Sequence, residues 1–281
     1  MPHLLIFGLG YSASHLAHRV SADGWRVTGI RRAASEEEVA FHDQPSLAAA
    51  IASATHILSS VPPEGERDPV LDTYGRLIGA AGVWTGYLSS TGVYGDTGGA
   101  WVDESAPVGT GRRGARAAAD LAWQAIGATV LRLPGIYGPG RSPLDRVLAG
   151  TAVRVDAGGQ VFSRIHVDDI ARAVIAAFEG PRGVYNIADD LPAPQEMVIA
   201  EAARCLGLEP SPLLPLEEAS LSPAARAFYA ENRRVATGKA KRLLGWRPLY
   251  PDYRAGLRAL SAMTSPAAAS SAPAAEVAVQ R

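Results

Sequence analysis

The sequence predicts an α/β protein: a doubly wound parallel sheet with helices on both faces, followed by a small C-terminal substrate-binding lobe. Three observations carry this. Apolar runs of strand length recur through the first half and alternate with helical stretches. The runs are apolar on both sides, as in a sheet covered on both faces. The first of them opens directly into a glycine-rich turn and a helix.

Residues 3–7 form the first short apolar run, residues 12–20 the first helix and residues 25–30 the second strand. Further strands are expected at 55–61, 83–90 and 128–133, with helical stretches between them. Residues 168–178 read as a helix opened by acidic residues, which suits its dipole, with Asp168 as the expected cap. A late strand is expected at 183–187, and a helix at 194–206 that stops at Gly207. A proline-rich connection, 209–215, leads to helices at 223–229, 237–244 and 252–262. Residues 1–182 are therefore assigned to the nucleotide-binding domain, with 136–160 contributing to the cleft. Residues 183–262 are assigned to the smaller lobe. The Ala/Ser/Pro-rich stretch 263–281 lacks periodicity and is expected to be a disordered tail.

Composition narrows the function. Of 281 residues, 47% are hydrophobic and 20% charged, enough for a sizeable core. The 27 basic and 28 acidic residues give a net charge of −1, which argues against a nucleic-acid binder held by bulk positive charge. The single cysteine, Cys205, excludes an internal disulfide, and no Cys/His set has zinc spacing, so no metal is expected. The opening MPHLLIFG lacks a basic leader and already reads as a strand, and no apolar run reaches membrane-spanning length. A cytoplasmic protein with a small-molecule substrate is expected. Lysine occurs only at Lys239 and Lys241.

The glycine turn is the strongest local signal. Gly8-Leu9-Gly10-Tyr11-Ser12-Ala13 is G-x-G-x-x-A between a strand and a helix. Gly8 permits the tight turn, Gly10 lets the backbone approach a diphosphate, and Ala13 allows close helix–strand packing. The helix N-terminus then meets the phosphates, so these six residues are the expected dinucleotide cradle of a Rossmann-type sheet. Ser59, in the 55–61 strand, joins the cofactor set. The second strand ends at Arg31 and Arg32, where an NAD-preferring site usually places an acid. Two arginines suit the 2′-phosphate of NADP(H), which is favoured over NAD(H). A solvated pair at a strand end would look the same. Glu36 to Glu38 is expected to start an exposed helix, with a ribose ligand as the alternative reading.

Further motifs accumulate in a familiar order: Ser89-Ser90-Thr91-Gly92-Val93-Tyr94-Gly95, then Trp101 to Glu104, then Leu131-Arg132-Leu133-Pro134-Gly135-Ile136-Tyr137-Gly138-Pro139-Gly140, Arg164 to Asp169, and Leu244-Gly245-Trp246-Arg247-Pro248. Over residues 3 to about 262 the chain resembles the extended short-chain dehydrogenase/reductase superfamily, the NAD(P)-dependent epimerase/dehydratase group. The finer resemblance is to its atypical YeeZ-like subgroup, which lacks the usual Tyr-x-x-x-Lys pair. The resemblance implies an oxidoreductase or epimerase/dehydratase-like activity, a homodimer, Ser90 beside the reacting oxygen, and Leu133 and Pro134 against the nicotinamide.

The departures from the family pattern change the chemistry. The usual turn is G-x-x-G-x-x-G. Counting back from Asp120, the tyrosine place falls on Arg112 and the lysine place on Arg116; a one-residue slip gives Arg113 and Ala117, and neither register holds a tyrosine. A guanidinium does not exchange protons near neutral pH, so Arg112 cannot act as general acid. It can bind an anion or stabilise an oxyanion. Arg112 and Arg116 share one helix face, which reads equally as a solvated basic face. Ser90, Tyr137, Arg112 and Arg116 are the candidate catalytic residues, with Tyr137 or a water as proton donor. Ser90 and Tyr137 also fit plain roles, a strand-end cap and a packed tyrosine. His166 is expected in the core. Arg164 is placed to reach the cleft, and Arg233 and Arg234 either contact an anionic substrate or form a solvated pair. Two classes of function follow: an enzyme with a non-standard proton route, or a catalytically silent NADP(H)-binding sensor.

Overall fold

The computed structural model describes residues 1–32, 38–111 and 113–264. Seven strands form one parallel sheet, in the order Val184–Asn186, Thr129–Leu133, Trp84–Ser90, His56–Ser59, His3–Phe7, Arg26–Arg31, Val39–Ala40. The interior strand His3–Phe7 is buried throughout. Its side chains alternate between faces, which explains its unbroken apolar run. Leu4 and Ile6 join Leu16, Val20, Leu131 and Val174 in one core layer. Leu5 and Phe7 join Ile51, Tyr74, Tyr87 and Trp123 in the other.

The helices follow from their buried stripes and caps. In Tyr11–Ala22, residues Ala13, Leu16, Ala17 and Val20 are buried, and this stripe packs beside Val167–Phe178. Asp68 caps Pro69–Ala80 by accepting from Val70 N and Leu71 N. Its second oxygen accepts from Trp123 Nε1 (2.8 Å), tying that helix to Gly114–Ala125.

The smaller lobe packs Pro143–Leu148, Gln195–Cys205 and Tyr253–Thr264 around Leu144, Val198, Ala202, Tyr253, Leu257 and Leu260. Three two-stranded parallel ladders lie outside the main sheet: Gly135–Tyr137 with Arg164–His166, Arg154–Asp156 with Leu213–Pro215, and Trp101–Val102 with Arg234–Val235.

Three expectations need correction. The 183–187 strand does not open the smaller lobe: Val184–Asn186 pairs with Thr129–Leu133 and is the edge of the main sheet. Ala240 and Trp246 also pack into the main core, because the chain returns to the sheet after building part of the lobe. Asp168 is not the helix cap. His166 caps Val167–Phe178, its Nδ1 accepting from Asp168 N (3.2 Å). His166 is buried as expected, yet its Nε2 has no partner among the described residues. Most of the Glu36–Glu38 run and of the 263–281 tail lies outside the described residues; Glu38 itself pairs with Arg31. Among the described residues no helix is long and apolar enough to cross a membrane.

Candidate functional site

A cleft of about 1140 Å³ runs along the carboxyl ends of the sheet strands and on into the smaller lobe. This is the edge where open α/β sheets bind ligands, near the point where strand order reverses.

At one end lies the glycine turn. Gly8 has φ +83°, and a Cβ there would stand 2.9 Å from Val61 Cγ2, so both backbone and space demand glycine. Gly8 N donates to Ile30 O and Gly10 N to Gly8 O. Gly10 has φ −83° and ψ −173°, and no side chain caps the helix it opens. A Cβ at Gly10 would meet nothing within 4 Å. Gly10, Tyr11 and Ser12 border the cleft, so uncapped first-turn N–H groups and open space coincide there. Ala13 is fully buried against the sheet. These features fit a dinucleotide diphosphate.

The flanking side chains are unequal. Arg31 Nη2 donates to Leu9 O (2.7 Å) and its Nε meets Glu38 Oε1 (2.8 Å), which keeps the guanidinium beside the turn. Arg32 instead turns out to Glu64 (2.9 Å) and is largely exposed. Ser59 is buried, its Oγ accepting from Val61 N at 3.4 Å. The hydroxyl on the cleft wall is the next one, Ser60, which donates to Gly8 O (2.5 Å). Tyr11 donates to Pro139 O (3.0 Å), and burial pushes the pKa of its hydroxyl up to about 12.

Further along, Ser90 and Thr91 face Leu133 and Pro134 within the same cleft. Ser90 Oγ accepts from Gly92 N (3.1 Å), capping the short 3₁₀ turn Thr91–Tyr94. Arg116 is half-buried on the wall and donates to the Tyr87 hydroxyl (3.0 Å). Burial lifts that hydroxyl to about 12 against the pull of Arg116. Arg112 lies outside the described residues. Tyr137 borders the cleft, but a Cβ on Gly256 would stand 2.0 Å from its hydroxyl oxygen. That hydroxyl is buried, has no hydrogen-bond partner among the described residues, and is pushed well above the usual phenol range by burial and by Asp189 and Asp169. Arg233 donates to Gly95 O (2.5 Å) and Glu231, and Arg234 to Gly99 O, so this pair holds a loop rather than standing in solvent.

Behind the wall lies a buried network that the sequence motifs did not signal. Arg132 makes a two-pronged pair with Asp120, Nε to Oδ2 at 3.0 Å and Nη2 to Oδ1 at 2.8 Å. Ser89 donates to the same carboxylate (2.6 Å). Arg132 Nη1 also donates to the Tyr94 hydroxyl (2.9 Å), which donates to Asn186 Oδ1 (2.7 Å). Tyr94 is therefore committed to the network. The neighbours of Ser89 and Arg132 in sequence are Ser90 and Leu133, register partners on adjacent strands, so this cluster braces the strand ends that carry them. Among the described residues no group of three or more His, Cys, Asp or Glu side chains is placed to hold a metal.

Fold and cleft define an α/β protein of the Rossmann type. No protein-family model matches the sequence. A solved structure, of a functionally unknown conserved protein from Silicibacter pomeroyi DSS, is 42% identical, covers 94% of this chain and 99% of its own, and superposes with a TM-score of 0.87. The chain belongs to that protein's family. It is also a homologue of Protein YeeZ of Escherichia coli (strain K12), 28% identical over 75% of this chain and 86% of YeeZ. A 3-diazoavenalumate denitrifying reductase from a Streptomyces sp is 35% identical over 144 residues, 47% of this chain and 46% of the reductase, so the chain spans about half the length of that relative. At the level of fold, human epimerase family protein SDR39U1 with NADPH gives a TM-score of 0.73 at 20% identity, covering 92% of this chain and 99% of that one.

Proposed function

We propose that the chain is an NAD(P)-dependent oxidoreductase that favours NADP(H) and reduces a small, anionic substrate. One observation carries the reading: uncapped backbone N–H groups and open space at Gly10, in a cleft whose far wall is Ser90, Leu133 and Pro134. When bound, the nicotinamide supplies or takes a hydride. Gly8 to Ala13 would hold the diphosphate, and Arg31 would meet the 2′-phosphate. Leu133 and Pro134 would pack on the ring, and Ser90 would orient the reacting group.

The missing Tyr-x-x-x-Lys pair belongs to this reading. No lysine precedes Lys239. Arg116, at the lysine place, stays charged and serves to bind ribose or oxyanion. Neither it nor a serine hydroxyl exchanges a proton near neutral pH. The hydroxyl of Tyr137 is packed against Gly256 and is a poor donor into the cleft. The proton comes from water, or the substrate needs none from the protein. The name of the Streptomyces relative, a denitrifying reductase, describes a reductive change of a kind that this site could carry out.

Calorimetric titration with NADPH, NADP and NADH tests the proposal. NADPH should bind more tightly than NADH, and Arg31→Ala should weaken NADPH by about tenfold with little effect on NADH. No uptake of any pyridine nucleotide would refute the proposal. Equal weakening of both cofactors would remove the 2′-phosphate assignment. Tight binding of one redox state, with no turnover across a broad substrate panel, would favour a sensor.

A further inference from the structure

At the lobe end of the cleft two guanidiniums border the same space, and neither is hydrogen-bonded to a carboxylate among the described residues. Arg146 stands on Pro143–Leu148 and Arg164 on Arg164–His166, and both border the cleft. Arg164 is only 6% exposed. Its Nη1 donates to the carbonyls of Phe162 (2.7 Å) and Ala193 (2.9 Å), and its Nη2 to Gln195 Oε1 (2.9 Å). A guanidinium has five N–H donors, so Nε–H and one Nη2–H remain. These bonds fix the plane of the fork and neutralise none of its charge.

Arg146 has no hydrogen bond or ion pair from its guanidinium to the described residues. Of the acids around the pair, Asp145 accepts from Ser142 N (2.7 Å) and its hydroxyl (2.9 Å), and Glu231 accepts from Arg233 (3.0 Å). Asp189 is buried in the field of Arg164, which pulls its carboxyl down while burial raises it to about 8; its Oδ1 accepts from Leu191 N (3.3 Å) and its Oδ2 has no hydrogen-bond partner among the described residues. Burial lowers Arg164 to about 10, the carboxyl of Asp189 opposes that effect, and the like charge of Arg146 adds to it. The Tyr229 hydroxyl lies in the field of both cations. Tyr229 meets Phe162 edge to face at 5.5 Å, and both rings border the cleft. A nearly buried cation whose fork holds no carboxylate is costly unless a ligand supplies one, and a planar fork matches a carboxylate.

We propose that this end of the cleft is an oxyanion subsite, in which Arg146 and Arg164 clamp the carboxylate of a small aromatic acid. The assignment rests on the oxidoreductase reading for its role as a substrate site, and it narrows that substrate to an organic acid carried against Phe162 and Tyr229.

The test uses the full chain, with and without NADP, and three probes in ligand-observed NMR titrations: cinnamate, its uncharged amide and phenyl phosphate. Cinnamate should bind about tenfold more tightly than the amide. Arg146→Gln leaves the fold intact, because its guanidinium holds no protein group. It should weaken cinnamate by about tenfold while leaving amide and nucleotide binding unchanged. Arg164→Lys, which keeps the charge but loses the fork, should also weaken cinnamate selectively; its melting temperature separates a folding defect from a binding one. Equal binding of acid and amide, binding of neither, or equal weakening of both by Arg146→Gln would overturn the subsite. Tighter binding of phenyl phosphate than of cinnamate would overturn the carboxylate assignment. Loss of nucleotide binding alone would count against the oxidoreductase reading, because the acid–amide comparison without NADP stands apart from it.

Discussion

Replacing Gly10 with serine separates the fold from the proposed cradle. The backbone of Gly10, φ −83° and ψ −173°, is extended and open to any L residue. A Cβ there meets nothing within 4 Å. Serine is a better N-cap than glycine by a few tenths of a kcal/mol, and losing glycine's freedom in the unfolded chain adds about 0.4–1 kcal/mol. The variant should therefore melt at the wild-type temperature or slightly above it. The ligand meets the opposite situation. The new side chain fills the approach to the turn, and its hydroxyl accepts from the same first-turn N–H groups that a diphosphate would use. Each charge-assisted hydrogen bond lost costs about 1.5–3 kcal/mol, so NADPH affinity should fall roughly 10- to 100-fold. Thermal melting and calorimetric titration of one preparation give both numbers. A stable Gly10→Ser protein that binds NADPH as the wild type does would refute the backbone cradle. Gly8→Ala is the contrast: at φ +83° and 2.9 Å from Val61 it should cost the fold itself about 1–2 kcal/mol.

Two further outcomes concern the buried charges. Arg132→Met leaves Asp120 fully buried without its counter-ion and should destabilise the protein by about 3–5 kcal/mol in urea denaturation, with partial recovery on adding Asp120→Asn; a loss below about 1 kcal/mol would mean that the pair does not brace the strand ends. For Asp189, burial raises the folded pKa to about 8 from an ordinary 3.8, so the folded state keeps a proton that the unfolded chain releases. That contribution is fully present below pH 3.8 and is lost as pH rises through about 8. Wild-type melting temperature should fall from pH 5 to 9 more steeply than that of Asp189→Asn, and parallel curves would refute the assignment.

The main sheet was legible because its signals are local. His3–Phe7 is a buried run that leads into a glycine whose backbone and surroundings disfavour any side chain, and the strands ending at Ser90 and Leu133 carry similar runs. The Tyr11–Ala22 and Val167–Phe178 helices announce themselves by period. Three-residue ladders such as Gly135–Tyr137 with Arg164–His166 have no period to read, and their partners lie far apart in sequence. For the same reason the return of Val184–Asn186 to the main sheet was hidden, since a strand's neighbour is not written in its own residues. Within the site, residue type identified the turn and Ser90. It could not tell that Ser60 rather than Ser59 reaches the cleft, because one step along the chain end decides it. Tyr94 and Arg132 stood in the motif, but their pairing with Asn186 and Asp120 depends on strand neighbours.

Those neighbours also bear on how the site could work without a titrating pair. Asp120 receives Ser89 from one strand and Arg132 from the next, so a single buried carboxylate braces the adjacent strand ends that carry Ser90 and Leu133. Reorganising such a network means exposing or unpairing a buried ion, which costs several kcal/mol. These strand ends are thereby held in place before any ligand arrives. A site of this kind accelerates a reaction by position more than by proton transfer, and positioning is worth most when the reacting group needs little acid–base help. The charge that remains near the reacting end, Arg116 held on the Tyr87 hydroxyl, is permanent and cannot be spent as a proton. Under the proposed oxidoreductase reading, such a site depends on its cofactor for reactivity and on its braced strand ends for alignment. It follows that Asp120 and Arg132, which touch no ligand, should influence turnover as much as stability, whereas removing the Tyr137 hydroxyl should influence neither.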